Sequence, residues 1–434
     1  RADEALDKDV VIAKFGALAD EIARATAKVG PLPADYVRVM TSFGALAEPL
    51  VSSSPSSASP AESWTVAWYV WVTVLSVVCS IFGVQWDISW HRSIGRDTFW
   101  SPPHLAIYLG AVLAGLACGY QILTLTFGHR RDTAATVRIW GFRGPLGAFI
   151  SAWGGIAMLA SAPFDNWWHN AYGLDVKILS PPHSVLALGL FGLELGALIF
   201  LAGLMNRASG RTQALLRLLF LAIGAFVLIG FLTFQMEFIR RSAQHSGLFY
   251  RIIATSVPLC LCGIGRASGH RFGATIVAAL YTVEMLLILW LFPLFPATPK
   301  LGPVYQVVTH MIPPGFPLLL IFPALCLDLL TPRVAGHPPW QQSVVLAAGF
   351  LCVFLAVQWP FAEFLLSPGA RNWIFGAHYF GFATRSTFPE FRHQFVDLDG
   401  ALGFRRQLGL AALAALLSVR LGLSAARFLR GVQR

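Results

Sequence analysis

The stretch Thr65-Val66-Ala67-Trp68-Tyr69-Val70-Trp71-Val72-Thr73-Val74-Leu75-Ser76-Val77-Val78-Cys79-Ser80-Ile81-Phe82-Gly83-Val84-Gln85-Trp86-Asp87 carries no charged side chain until its last residue. At about 1.5 Å per residue such a run is long enough to cross a hydrocarbon layer of about 30 Å. Runs of this kind recur along most of the 434 residues, of which 56% are hydrophobic and only 12% charged. Soluble domains carry about 25% charged residues, so the chain lacks the polar surface that water requires. The mean hydropathy of +0.63 agrees. The expected fold is all-α: a polytopic membrane protein of about ten helices arranged as repeated hairpins.

The predicted spans are 65–88, 104–126, 145–164, 183–205, 215–236, 251–264, 274–296, 315–331, 342–361 and 405–425, the sixth being short for a full crossing. Residues 1–50 form a preface in which Val10, Val11, Ile12, Phe15, Leu18, Ile22 and Ala25 recur at helical spacing, predicting one amphipathic helix. A Ser/Pro-rich linker over 51–64 separates it from the transmembrane domain, 65–434. The aromatic loop 364–404 is expected to hold interfacial or re-entrant segments. The first residues do not show a signal-peptide pattern.

The net charge of +10 does not indicate nucleic acid, because the basic residues lie in short loops between apolar segments. Their distribution places the loops near 127–144 and 206–217 in the cytoplasm. Eight of the eleven histidines then share the extracytoplasmic side. A bacterial inner membrane is the expected location. All six cysteines lie inside apolar runs, which suits small packed residues better than disulfides or thiolate sites.

Two segments at helix ends repeat one another. Asp87-Ile88-Ser89-Trp90-His91 leads through Gly95 and Asp97 to Ser101-Pro102-Pro103-His104, and Asp165-Asn166-Trp167-Trp168-His169 leads through Gly173 and Asp175 to Ser180-Pro181-Pro182-His183. Both fit D-x2-W-H-x3-G-x-D-x(3,4)-S-P-P-H, which makes a helix–loop–helix unit duplicated within the chain. Asp and His four apart lie on one helical face. Ser suits an N-cap and Pro the first helical position, so the last His falls in the first turn of the return helix. Each hairpin thus brings one carboxylate and two imidazoles to one membrane face. Candidate metal ligands are Asp87, His91 and His104 in the first copy and Asp165, His169 and His183 in the second. Asp97 and Asp175 are candidates to orient an imidazole. Such N,O sets suit copper, with zinc or iron possible.

The same residues can instead form a structural polar network, since a carboxylate near the bilayer demands some partner. Haem ligation across His91/His104 or His169/His183 would need one continuous helix, which Gly and Pro-Pro interrupt. Weaker echoes follow downstream: Phe234-Gln235-Met236-Glu237 with His245, Trp359-Pro360-Phe361-Ala362-Glu363 with His378, and Thr309-His310-Met311-Ile312-Pro313-Pro314. Glu284 is read as the acid nearest mid-membrane.

The first copy resembles the metal-site segment of the C subunit of the copper membrane monooxygenases, the particulate methane and ammonia monooxygenase family. That family's motif runs D-x3-H-x12-H with Trp before the first His, Arg-Asp-Thr in the middle and Ser/Thr-Pro-x-His at the end. Asp87, Trp90, His91, Arg96-Asp97-Thr98, Ser101-Pro102 and His104 fall on it in register. The resemblance implies that Asp87, His91 and His104 bind copper. Asp165, His169 and His183 match with a one-residue insertion and without Arg-Asp-Thr. The likeness covers about forty residues including the repeat, and no cupredoxin-like domain is visible.

The leading expectation is therefore a copper-binding membrane subunit of an oxidoreductase or monooxygenase-like complex, in contact with lipids and other membrane subunits. The alternatives are a non-catalytic structural subunit of a respiratory or photosynthetic assembly, and a metal or small-solute transporter.

Overall fold

The computed structural model describes residues 66–95, 98–128, 135–173, 180–236, 238–239, 243–300, 308–378 and 400–433. The amphipathic preface, the Ser/Pro linker, Asp97, Asp175 and Glu237 lie outside the described residues. The chain is an all-α integral membrane protein: among the described residues, nine helices are long and apolar enough to cross a bilayer.

The helices are α1 (Trp68–Ser93), α2 (Pro102–Phe127), α3 (Leu146–Tyr172), α4 (Pro181–Arg207), α5 (Gly210–Phe234), α6 (Gly247–Ala267), α7 (Gly273–Leu291), α8 (Ile321–Val334), α9 (Pro339–Leu366) and α10 (Gly400–Gly431). A two-stranded ribbon, Val137–Ile139 with Phe142–Gly144, joins α2 to α3 through a tight turn. Its two corner residues, Trp140 and Gly141, both have positive φ, as a primed hairpin turn requires. The expected sixth span is longer than its apolar centre suggested. As α6 it has 21 residues, enough for a crossing.

The hairpins α1–α2 and α3–α4 are each closed by small residues. A Cβ at Gly110 of α2 would overlap Ser80 and the Ser76 carbonyl of α1, and a Cβ at Gly189 of α4 would overlap Met158 and the Gly154 carbonyl of α3. Under the duplication Gly110 corresponds to Gly189, Ser80 to Met158 and Ser76 to Gly154. The repeat therefore extends from the polar loops into the packing of the helices. Close backbone approach at small residues is what drives association in lipid, where apolar burial gains nothing.

The expected eighth span, 315–331, is not one helix. Only Ile321–Val334 is helical, 14 residues, too short for the hydrocarbon core. The chain before it, from Val308 to Leu319, is non-helical. Pro313, Pro314 and Pro317 explain this, since proline removes a helical donor and clashes with the preceding turn.

Irregular backbone survives at membrane depth only where protein satisfies its polar groups. Here the Met311 N–H donates to the Phe295 carbonyl at 3.0 Å. The Leu318 N–H donates to the Tyr281 hydroxyl at 3.1 Å, and the Leu319 N–H to Gln358 Oε1 at 3.0 Å. Gln358 in turn donates to Gln244 at 2.8 Å. Ile312 is held by α1: the Ser89 hydroxyl donates to its carbonyl at 2.6 Å, and its N–H donates to Ser93 Oγ at 2.7 Å.

Candidate metal centre

The ends of α1 and α3 run further than their apolar cores, to Ser93 and Tyr172. Asp87 and His91, and likewise Asp165 and His169, therefore lie one helical turn apart on a single face. The return helices begin at Pro102 and Pro181. At Ser180 the side chain accepts from the His183 N–H as an N-cap. At Ser101 the hydroxyl oxygen instead accepts from the Thr98 N–H at 2.7 Å, bracing the loop. Gly95 and Gly173 both have positive φ, near 85°, so each loop leaves its helix through a backbone conformation that favours glycine.

The two sets pair the same atoms, but among the described residues only the first brings all three donors within the spacing of an ion site. Asp87 Oδ2 lies 3.7 Å from His91 Nε2, and its Oδ1 lies 3.3 Å from His104 Nε2. Asp165 Oδ2 lies 3.3 Å from His169 Nε2, and its Oδ1 lies 3.5 Å from His183 Nε2. In each copy one carboxylate spans the hairpin, one oxygen facing each imidazole. The donor atoms of Asp87, His91 and His104 all fall within 4.8 Å of one another, the spacing of a potential ion site. In the second copy the pairing is through Asp165, and His169 Nδ1 lies 3.2 Å from the Gly173 carbonyl. That contact fixes the ring and turns Nε2 toward the carboxylate, as second-shell bonds do at metal sites.

The first set fits a metal ion, and the second offers the same pairs about its carboxylate. Oδ1 of Asp87 and Oδ1 of Asp165 are buried and receive no hydrogen bond. The imidazoles opposite them stand 3.3 and 3.5 Å away, longer than a charge-assisted hydrogen bond of about 2.8 Å. Neighbouring ligands about 2.1 Å from a tetrahedral ion would be about 3.4 Å apart.

Asp87, His104, Asp165 and His183 all line one cavity of about 160 Å³ between the two hairpins and α5. Its wall is otherwise largely apolar, with Ile81, Val84, Ile107, Leu186, Leu190 and Phe191 prominent. Glu194 also lines it. The sequence reading missed this residue and named Glu284 instead. The available signal was spacing, because Glu194 follows His183 by eleven residues, three turns along the same helical face.

Among the described residues the downstream echoes form no comparable set. His245 lies 4.0 Å from Glu363 and 3.2 Å from the Trp359 carbonyl, so two echoes are joined across the fold. His310 contacts its neighbour Thr309 at 3.0 Å. The cysteines are free thiols: Cys118, Cys260 and Cys262 are buried in helix packing, whereas Cys79 and Cys326 are half-buried and Cys352 is exposed.

No family model, curated protein or solved structure matches the chain.

Proposed function

We propose that this chain is the metal-binding membrane subunit of an oxidoreductase complex of the copper monooxygenase type, with its two Asp/His sets on the extracytoplasmic side of a bacterial inner membrane. The observation that carries the reading is the convergence of Asp87, His104, Asp165 and His183, two residues of each set, on one apolar cavity. A purely structural clamp would close each Asp/His pair with a hydrogen bond, yet both Asp Oδ1 atoms are buried without one and stand 3.3 and 3.5 Å from an imidazole nitrogen.

Asp87, His91 and His104 would hold one ion, and Asp165, His169 and His183 a second. Among divalent ions an N,O set of this kind binds copper most strongly. Bound copper would supply the redox chemistry of dioxygen activation, for which no side chain substitutes. The chain itself contributes position and environment. The helical hairpins fix the carboxylates, the loop glycines set the turn, and the aliphatic walls keep water from a substrate arriving through the bilayer.

The test is elemental analysis with EPR on protein purified without chelators, beside the His91→Ala/His169→Ala double variant. Stoichiometric copper that is lost in the variant supports the reading. A well-folded, metal-free wild type would sink it in favour of a structural subunit.

A further inference from the structure

Glu194 stands in the middle of α4, in a span whose other charged residue is the terminal Arg207. Its side chain is fully buried, at 0% exposure, and neither carboxyl oxygen has a hydrogen-bond partner. Ionisable groups at membrane depth are costly and are retained where something binds them.

Three features point to an external partner. First, the carboxyl closes the same cavity that opens onto Asp87 and Asp165, about 16 Å of helix rise below His183. Second, it rests against Gly230 of α5, where a Cβ would stand 2.7 Å from Oε2. The missing side chain makes the space in which the carboxyl lies. Third, the duplicated hairpin does not need an acid there: the equivalent residue of α2 is Gly115, which has no neighbouring atom within 4 Å of its Cβ position. Glu194 is therefore particular to the second hairpin, a buried acid where the first hairpin exposes a glycine.

We propose that the cavity binds a small amphiphile with an apolar body and an amine or hydroxyl head, the head held by Glu194 and the body lying on Ile81, Leu186, Leu190 and Phe191. A volume of about 160 Å³ is close to that of an engineered apolar cavity that takes benzene, so the ligand has about six to eight heavy atoms. Its far end then points to the Asp/His sets. This narrows the substrate class of the proposed function and rests on that site's cavity, not on its metal.

The test uses three ligands of nearly equal size, ethylbenzene, benzyl alcohol and benzylamine. Each is titrated calorimetrically into the full chain in lipid nanodiscs, with protein-free nanodiscs subtracted and copper content measured in parallel. The alcohol and amine are expected to bind at least tenfold tighter than ethylbenzene. Glu194→Gln keeps an acceptor oxygen but cannot become a carboxylate beside an ammonium head, so it should retain the alcohol and lose the amine at least tenfold. Gly230→Ala, which pushes a methyl group onto the carboxyl, should weaken both heads with copper content unchanged. Equal binding of all three ligands to the wild type would overturn the proposal, as would an unchanged preference in both variants. Head-group preference in a protein that holds no copper would uphold this inference while removing the metal reading.

Discussion

Ser93 accepts, at its Oγ, a hydrogen bond of 2.7 Å from the backbone N–H of Ile312, 219 residues further along the chain. With Ser89 on the carbonyl of the same residue, the last turn of α1 is pinned from both sides, and His91 lies between the two serines. The second copy has Trp167 and Ala171 at the equivalent positions, and no such pin is formed among the described residues. The Ser89→Ala/Ser93→Ala variant is therefore expected to weaken copper at the first set by about tenfold or more, the usual cost of removing an outer support. The second set should be unchanged. Copper titration against a competing chelator would resolve one weakened step from one normal step.

Asp87→Asn and Asp165→Asn keep shape but remove the charge that each hairpin presents to both imidazoles. Each is expected to lose one equivalent of metal and the double variant both, with helical content by circular dichroism unaltered. Retention of full metal in the double variant would show that the carboxylates are not ligands.

Protons compete with metal for imidazole nitrogens, so occupancy should fall as the solution is acidified and recover on return to neutrality. The sign follows from the ligand form: only the deprotonated ring nitrogen binds. A release titration followed by EPR checks this, and acid-independent occupancy would exclude the histidines as ligands.

Gly110 and Gly189 allow the helices of each hairpin to touch. Gly110→Leu or Gly189→Leu should lower stability by about 1–3 kcal/mol through overpacking, read as an earlier midpoint in denaturant unfolding. Gly115→Ala, with open space at its Cβ position, should change stability by less than about 1 kcal/mol.

The membrane class and the paired Asp/His loops were legible because both are local. Apolar run length sets the spans, and i,i+4 spacing with Ser-Pro-Pro sets the ligand face. The seam at Gly110 and Gly189 was equally available, had the duplication been followed outward from the loops into the helices. Glu194 was overlooked because one acid within an apolar run looks isolated until the face it shares with His183 is traced. The broken span before α8 could not be read in full. Its prolines announce an interruption, but the partners that make it tolerable, Tyr281, Gln358, Ser89 and Ser93, come from distant helices and leave no mark on local sequence.

The two hairpins run in the same direction, each ending its first helix on the same membrane face. An inverted repeat would have given each compartment a site of its own, whereas this arrangement is vectorial. If both sets hold ions as proposed, a chelator unable to cross sealed vesicles is expected to strip both from one side and neither from the other. The cavity between the hairpins runs inward from the Asp/His end, with the buried Glu194 among its lining residues.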